Sequence, residues 1–210
     1  MKFHGFVQAG GASTRFGSDK ALAEFKGKTL LQRTGELLAG ACNDVHVVAP
    51  FSKYDGVAWP VISDRWPGEG PLGGILTARL YISNEKGTDH TVATHSWAVV
   101  LSCDMPFLTA DFIGYLLQRA AESRARVVVP ESNNGLEPLC ACWRVDSLSG
   151  VQATFGAGVR RVSEAMGRLP IEVLDESTWK RFDSDGRLFW NMNTPEDYAE
   201  ARRILETENR

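Results

Sequence analysis

Long apolar runs are missing from this chain. No stretch of its 210 residues approaches the roughly 20 apolar positions of a membrane-spanning helix. The opening run Met1 to Val7 is too short, and too soon broken by Gly10-Gly11, for a signal peptide. Basic runs are missing as well. Lys and Arg number 23 against 26 Asp and Glu, a net charge of −3, which argues against a nucleic-acid coat. Cysteine is scarce: Cys42, Cys103, Cys140 and Cys142 form no C-x-x-C pair, and the last two lie in an apolar stretch. They read as reduced, mostly buried thiols of a cytoplasmic protein rather than as disulfides or a zinc site. There is no repeat, no low-complexity segment and no linker long enough to divide domains. Residues 1–210 therefore read as one domain. With 43% hydrophobic residues, a chain of this size buries one substantial core without metal or disulfide staples.

What is present is an alternation of strand and helix patterns. Short apolar runs at 3–8, 45–49, 97–101, 127–129, 139–143 and 171–174 read as strands. Residues 57–62 read as a weaker one, confined to an edge or strand end by Pro60. Apolar residues at helical spacing mark helices at 29–41, from Pro71 to about Ser83, and from a Thr109 cap through Ala120. Two short helices are expected within 146–168, a surface loop over 84–95, and a hairpin turn between short strands at Asp183-Ser184-Asp185-Gly186. Thr194-Pro195-Glu196-Asp197 is a helix start running to about Glu206. The order implies an α/β fold: a mainly parallel sheet with helices on both faces.

Open parallel sheets bind ligands beyond the carboxyl ends of their strands. The first such loop is Gln8-Ala9-Gly10-Gly11-Ala12-Ser13-Thr14-Arg15-Phe16-Gly17-Ser18-Asp19-Lys20. Its glycines let successive N–H groups face an anion, and Arg15 and Lys20 add two cations, which suits a triphosphate. It is not a dinucleotide fingerprint, because the glycines are adjacent and no helix follows directly. Nor is it a Walker loop, because Gly27-Lys28-Thr29 has Leu22 where the first glycine belongs. Taken alone, a Gly-rich surface turn with two solvated cations remains an alternative.

The run A-G-G-x-S-x-R-F-G-x-D-K-A resembles the signature of the molybdenum cofactor nucleotidyltransferases, and most closely that of the guanylyltransferases among them. Further segments are similar to that family in the same order: Asp64 followed by Gly70-Pro71-Leu72-Gly73-Gly74, Ser102-Cys103-Asp104-Met105-Pro106, Glu137-Pro138-Leu139, Gly158-Val159-Arg160-Arg161-Val162, and Asn191-Met192-Asn193-Thr194-Pro195-Glu196. The resemblance implies a single-domain three-layer α/β/α Rossmann-like nucleotidyltransferase fold. Its N-terminal part would bind nucleotide and its C-terminal part molybdopterin. The implied reaction is transfer of GMP from GTP to molybdopterin, with or without molybdenum bound, releasing pyrophosphate with the help of Mg²⁺. The implied protein is a cytoplasmic monomer serving molybdoenzymes or their chaperones, with neither nucleic acid nor membrane as partner.

The resemblance also assigns roles. Arg15, Lys20 and Asp104 are the expected catalytic residues. Gln8, Ala9, Gly10, Gly11, Ser13, Arg15, Lys20, Asp64, Gly73 and Asp104 are expected to bind the nucleotide. Arg160, Asn191 and Asn193 are expected at the molybdopterin, and Asp104 with Asn193 at Mg²⁺, so Asn193 has a split assignment. Ala9-Gly10-Gly11 goes with guanine in the family, where cytidylyl relatives carry A-A-G. Two positions depart from the pattern. Residue 8 is Gln where the family usually has Leu, an unexpected side chain at the end of a core strand. The run Val48-Ala49-Pro50 lacks the Asn with which some members contact nucleotide. Two rivals stay open: a related nucleotidylyltransferase using CTP or another acceptor such as a sugar phosphate, and a noncatalytic nucleotide-binding partner. The histidines His4, His46, His90 and His95 match no motif and receive no role.

Overall fold

The computed structural model describes residues 1–9, 19–50, 53–54, 56–85 and 95–208. Its centre is strand β1 (Lys2–Gln8), paired on both edges and buried from His4 through Val7, with Phe6 and Val7 in the cores on opposite faces. β4 (Asp44–Ala49) and β6 (Ser96–Ser102) flank it in parallel, and β5 (Val61–Ser63) extends the sheet beyond β4. On the other side lie β9 (Cys140–Arg144), β7 (Val127–Ser132) and β10 (Ile171–Leu174), giving the order β10-β7-β9-β6-β1-β4-β5. β8 (Gly135–Leu136) pairs with β7 off this path. β9 runs antiparallel to both β6 and β7. The link from β7 to β9 is too short for the dozen or more residues that a parallel crossover needs, so the chain has to turn back.

Side chains alternate across the sheet and build two cores. Val7, Val47, Trp97, Val99 and Leu101 face α1 (Leu30–Ala39) and α3 (Ala110–Glu122). Phe6, Val48, Ala98, Val100 and Trp143 face α2 (Pro71–Glu85), α4 (Leu148–Gly156) and α5 (Val162–Met166). The result is the three-layer α/β/α arrangement with a mostly parallel sheet. Thr109 and Thr194 cap helices as expected, and Thr29, expected inside the first helix, caps that helix. Thr29 and Gln32 form a reciprocal capping box on α1, and Thr109 Oγ1 accepts from Phe112 N at 3.3 Å on α3. On the last helix, α7 (Pro195–Glu208), Thr194 Oγ1 accepts from Asp197 N at 3.1 Å. No helix among the described residues is long and apolar enough to cross a membrane.

Several expectations change. The strand expected at 57–62 is reduced to Val61–Ser63. Pro60 stands just outside it, and its carbonyl still accepts from Val47 N at 2.9 Å. The expected loop 84–95 begins later, since α2 continues to Glu85, and 86–94 lie outside the described residues. The hairpin at 183–186 is absent. Helix α6 (Glu176–Trp179) and a 3₁₀ turn (Lys180–Phe182) precede it. The Asp183 carboxylate instead accepts from Arg187 N at 2.8 Å and Leu188 N at 3.1 Å, closing a loop. Trp179 and Phe189 pack edge-on into the α3 core rather than alternating along strands. A small hairpin not expected from the sequence lies between the first loop and α1. β2 (Glu24–Phe25) and β3 (Lys28–Thr29) pair around Lys26 and Gly27, both at positive φ, a backbone shape in which glycine is at ease. All four cysteines are free; three are buried and Cys42 is half-buried.

Candidate active site

The carboxyl ends of the central strands meet in register. Gln8 at the end of β1 stands beside Val48 of β4 and Ser102 of β6. Asp104 follows two residues past β6. Lys20 reaches the same place from a 3₁₀ turn (Lys20–Leu22) whose start is capped by Asp19, with Asp19 Oδ1 accepting from Ala21 N at 3.1 Å. The Lys20 ammonium lies 3.1 Å from Asp104 Oδ2, 2.6 Å from the Met192 carbonyl and 3.3 Å from Asn193 Oδ1. Met192 N in turn donates to the Asp104 carbonyl at 2.9 Å. The first loop, the β6 end and the closing Asn-x-Asn segment are thus drawn into one cluster. Its two charged side chains are only 15% and 18% exposed, so their attraction is weakly screened.

The surroundings hold these groups still. Asp197 accepts from Asn193 N at 2.8 Å and Thr194 N at 2.9 Å. Those backbone bonds keep its carboxyl below the usual carboxylate range. Burial pushes Glu137 above its ordinary value, against a 2.6 Å bond from Ser132 Oγ and a bond from the Asn191 side chain, and the charge of Asp104 adds to the rise. The Tyr54 hydroxyl lies 2.7 Å from the Ala9 carbonyl and 3.1 Å from Asp19 Oδ1, while Lys53 Nζ is 3.1 Å from Asp19 Oδ2. Tyr54 and Asp19 therefore bring together the residues just before and just after 10–18. Burial and the neighbouring Asp19 push the Tyr54 phenol upward, so it stays a hydroxyl.

The expected site residues divide into groups. Lys20, Asp104, Asn193 and, through Glu137, Asn191 are brought together. Gln8 and Ala9 lie at the same sheet edge. Gly10, Gly11, Ser13 and Arg15 lie outside the described residues. Asp64 is engaged with α2: its Oδ1 accepts from Thr77 Oγ1 and Trp66 N, both at 3.0 Å. Gly73 sits under Trp66, where a Cβ would come 3.2 Å from the Trp66 carbonyl oxygen. Arg160 does not join the two asparagines. It pairs with Glu69, donates to the Phe155 carbonyl at 2.8 Å and lies 4.0 Å over the Phe155 ring, which also meets Trp66. Sequence reasoning gave no role to Asp19, Tyr54 or Glu137. Only Asp19 and Glu137 carried a signal, as members of quoted motifs. A cavity of about 860 Å³ between α1 and α3 touches Cys103, Met105 and Pro106 but not Lys20, Asp104 or Asn193. It is not the place these motif residues build.

Residues 5–169 match the family model described as MobA-like NTP transferase domain. The chain belongs to this family. Two relatives align along nearly the whole MobA-like chain. A molybdenum cofactor guanylyltransferase of Syntrophotalea carbinolica is 31% identical over 97% of this chain and 92% of its own. A probable molybdenum cofactor guanylyltransferase of Deinococcus radiodurans is 34% identical over 92% and 91%. Among solved structures, molybdopterin-guanine dinucleotide biosynthesis protein A from Archaeoglobus fulgidus superposes with a TM-score of 0.79 at 22% identity, over 97% of this chain and 99% of that one. It shares the fold. Lys20, Asp104 and Asn193 of this MobA-like chain converge beyond the carboxyl ends of β1 and β6, the end of an open parallel sheet at which ligands bind.

Proposed function

We propose that this MobA-like NTP transferase moves GMP from GTP to the phosphate of molybdopterin, with or without molybdenum, and releases pyrophosphate. An acceptor phosphate oxygen attacks the α-phosphorus. One P–O bond forms there, and the bond to the β-phosphate bridging oxygen breaks. No protein nucleophile is needed, so positioning and charge stabilisation carry the acceleration. The observation that carries the reading is the convergence of Lys20, Asp104 and Asn193 at the carboxyl edge of β1 and β6. Lys20 supplies a cation for the phosphate charge, and Arg15 is expected to supply a second. The buried Asp104 Oδ1 has no hydrogen-bond partner among the described residues. That free oxygen and the Asn193 Oδ1 suit a hard divalent cation, which usually takes one or two protein oxygens besides phosphates and water. Asp104 and Asn193 would hold Mg²⁺, whose chemistry when bound is to neutralise phosphate charge. Asn191 and Asn193 face the acceptor side in this reading. Arg160 would belong to it only as a second contact at the Trp66–Phe155 face.

The reading also takes the chain as a monomer acting in the cytoplasm; four free thiols suit a reducing compartment. Each of GTP, CTP and ATP, labelled at the α-phosphate, is incubated with molybdopterin and Mg²⁺, and the product is weighed. A guanine dinucleotide supports the reading. A cytidine or adenine product without a guanine product sinks it, and nucleotide binding with no pyrophosphate released favours a noncatalytic partner.

A further inference from the structure

Gln8 is the last residue of β1 and directly precedes Ala9-Gly10-Gly11. Its carboxamide packs against Gly74 of α2. A Cβ built on Gly74 would stand 2.2 Å from Gln8 Nε2 and 2.8 Å from its Cδ, so any side chain there would push the amide away. Nε2 donates to the Pro71 carbonyl at 3.0 Å. A carbonyl can only accept, so this bond fixes the rotation of the amide, with nitrogen toward α2 and Oε1 turned from it. Oε1 is buried and has no hydrogen-bond partner among the described residues. A buried acceptor left unsatisfied costs stability and calls for a use. Leu, the residue usual here in the family this chain resembles, has similar bulk and would carry no such cost. The amide is oriented by Pro71 and given room by Gly74.

We propose that Gln8 determines base specificity, its Oε1 accepting an N–H from the base of the bound nucleoside triphosphate. This rests on the nucleotidyl-transfer reading and deepens it. Guanine presents two adjacent donors, N1–H and the 2-amino group, to one fixed acceptor. Adenine and cytosine each present an amino group beside a ring nitrogen lone pair, which an amide oxygen repels. A strut that merely tied β1 to α2 would act on all nucleotides alike.

Equilibrium binding of GTP, ITP, ATP and CTP to the whole protein tests this, with the wild type, Gln8→Leu and Gly74→Ala compared. In the wild type GTP should bind best, and ITP, which keeps N1–H but lacks the 2-amino group, should fall between GTP and ATP. Gln8→Leu should weaken GTP about tenfold, the worth of one hydrogen bond, and leave ATP and CTP nearly unchanged. Gly74→Ala leaves residue 8 intact but displaces its amide, and should give the same loss of preference, which keeps the idea testable if Gln8→Leu misfolds. Equal weakening of all four nucleotides, or undiminished GTP preference in both variants, overturns the role of Gln8 while leaving transfer itself intact. A wild type with no preference for GTP overturns both this role and the guanylyl reading.

Discussion

Replacing Lys20 by Met leaves the side chain's length nearly unchanged and removes its charge. The ammonium sits 3.1 Å from Asp104 Oδ2. At an effective dielectric constant of about 20 the bare attraction is roughly 5 kcal/mol. Desolvation and the ordering of a long side chain oppose most of it. An exposed pair retains about 1 kcal/mol or less, whereas breaking a fully buried one costs about 3–5 kcal/mol. With the two side chains 15% and 18% exposed, Lys20→Met should cost about 2 kcal/mol, part of it from the bond to the Met192 carbonyl. Urea unfolding of the wild type, Lys20→Met, Asp104→Asn and the double variant isolates the pair. A coupling of about 1–2 kcal/mol is expected. Turnover should fall by about 10²–10³ in Lys20→Met, the usual loss for one donor to transition-state charge. Additive single variants, with coupling under about 0.3 kcal/mol, would refute the view that Lys20 and Asp104 act as one unit.

Further outcomes follow from packing and charge. Gly35→Ala should destabilise the protein by about 1–3 kcal/mol in the same assay, because its Cβ would stand 2.3 Å from the rigid Trp59 indole. Thr29→Ala removes one half of the α1 capping box and should cost about 1 kcal/mol, with no change in nucleotide affinity. Asp197 has a carboxyl pKa lowered in the folded state, so its contribution is present above the unfolded value of 3.8 and is lost as pH falls through the folded one. The urea midpoint of Asp197→Asn should accordingly drop less between pH 6 and pH 3 than that of the wild type, pH values standing roughly either side of an ordinary carboxylate. Burial pushes the Cys42 and Cys103 thiols up to about 12. A disulfide reagent should thus label the native protein slowly and label all four thiols once urea unfolds it; rapid labelling of the native chain speaks against buried, inert thiols.

Local chemistry was legible where one residue decides the outcome. Thr109 and Thr194 announce helix starts because a side-chain oxygen satisfies a nearby N–H, and each does so here. The strands of the central sheet were legible because continuous apolar runs are buried on both faces. Strand direction was not, since periodicity is blind to it; β9 is antiparallel through a short connection on one side. The β2–β3 hairpin escaped because two-residue strands have no period to read. Asp183 misled because the same carboxylate that favours a hairpin turn also closes an irregular loop. Lys20, Asp104 and Asn193 were candidates from their motifs, but their meeting at one ammonium needs residues up to 173 positions apart. Tyr54 had no signal at all, since its hydroxyl matters only once Ala9 and Asp19 are side by side. Arg160 was grouped with the asparagines by the family resemblance alone, and in the fold it pairs with Glu69 and lies over Phe155.

The central claim is that Asp104, beside Lys20 and Asn193, serves the transfer of GMP to molybdopterin. Single-turnover transfer from α-labelled GTP, with molybdopterin and Mg²⁺, tests it most directly when wild type and Asp104→Asn are compared. The wild type should form labelled guanine dinucleotide with equimolar pyrophosphate and stop when EDTA removes the metal. The variant should fold, bind GTP and transfer about 10²–10³ times more slowly. Equal transfer by a folded Asp104→Asn protein, or transfer undiminished by EDTA, contradicts the account.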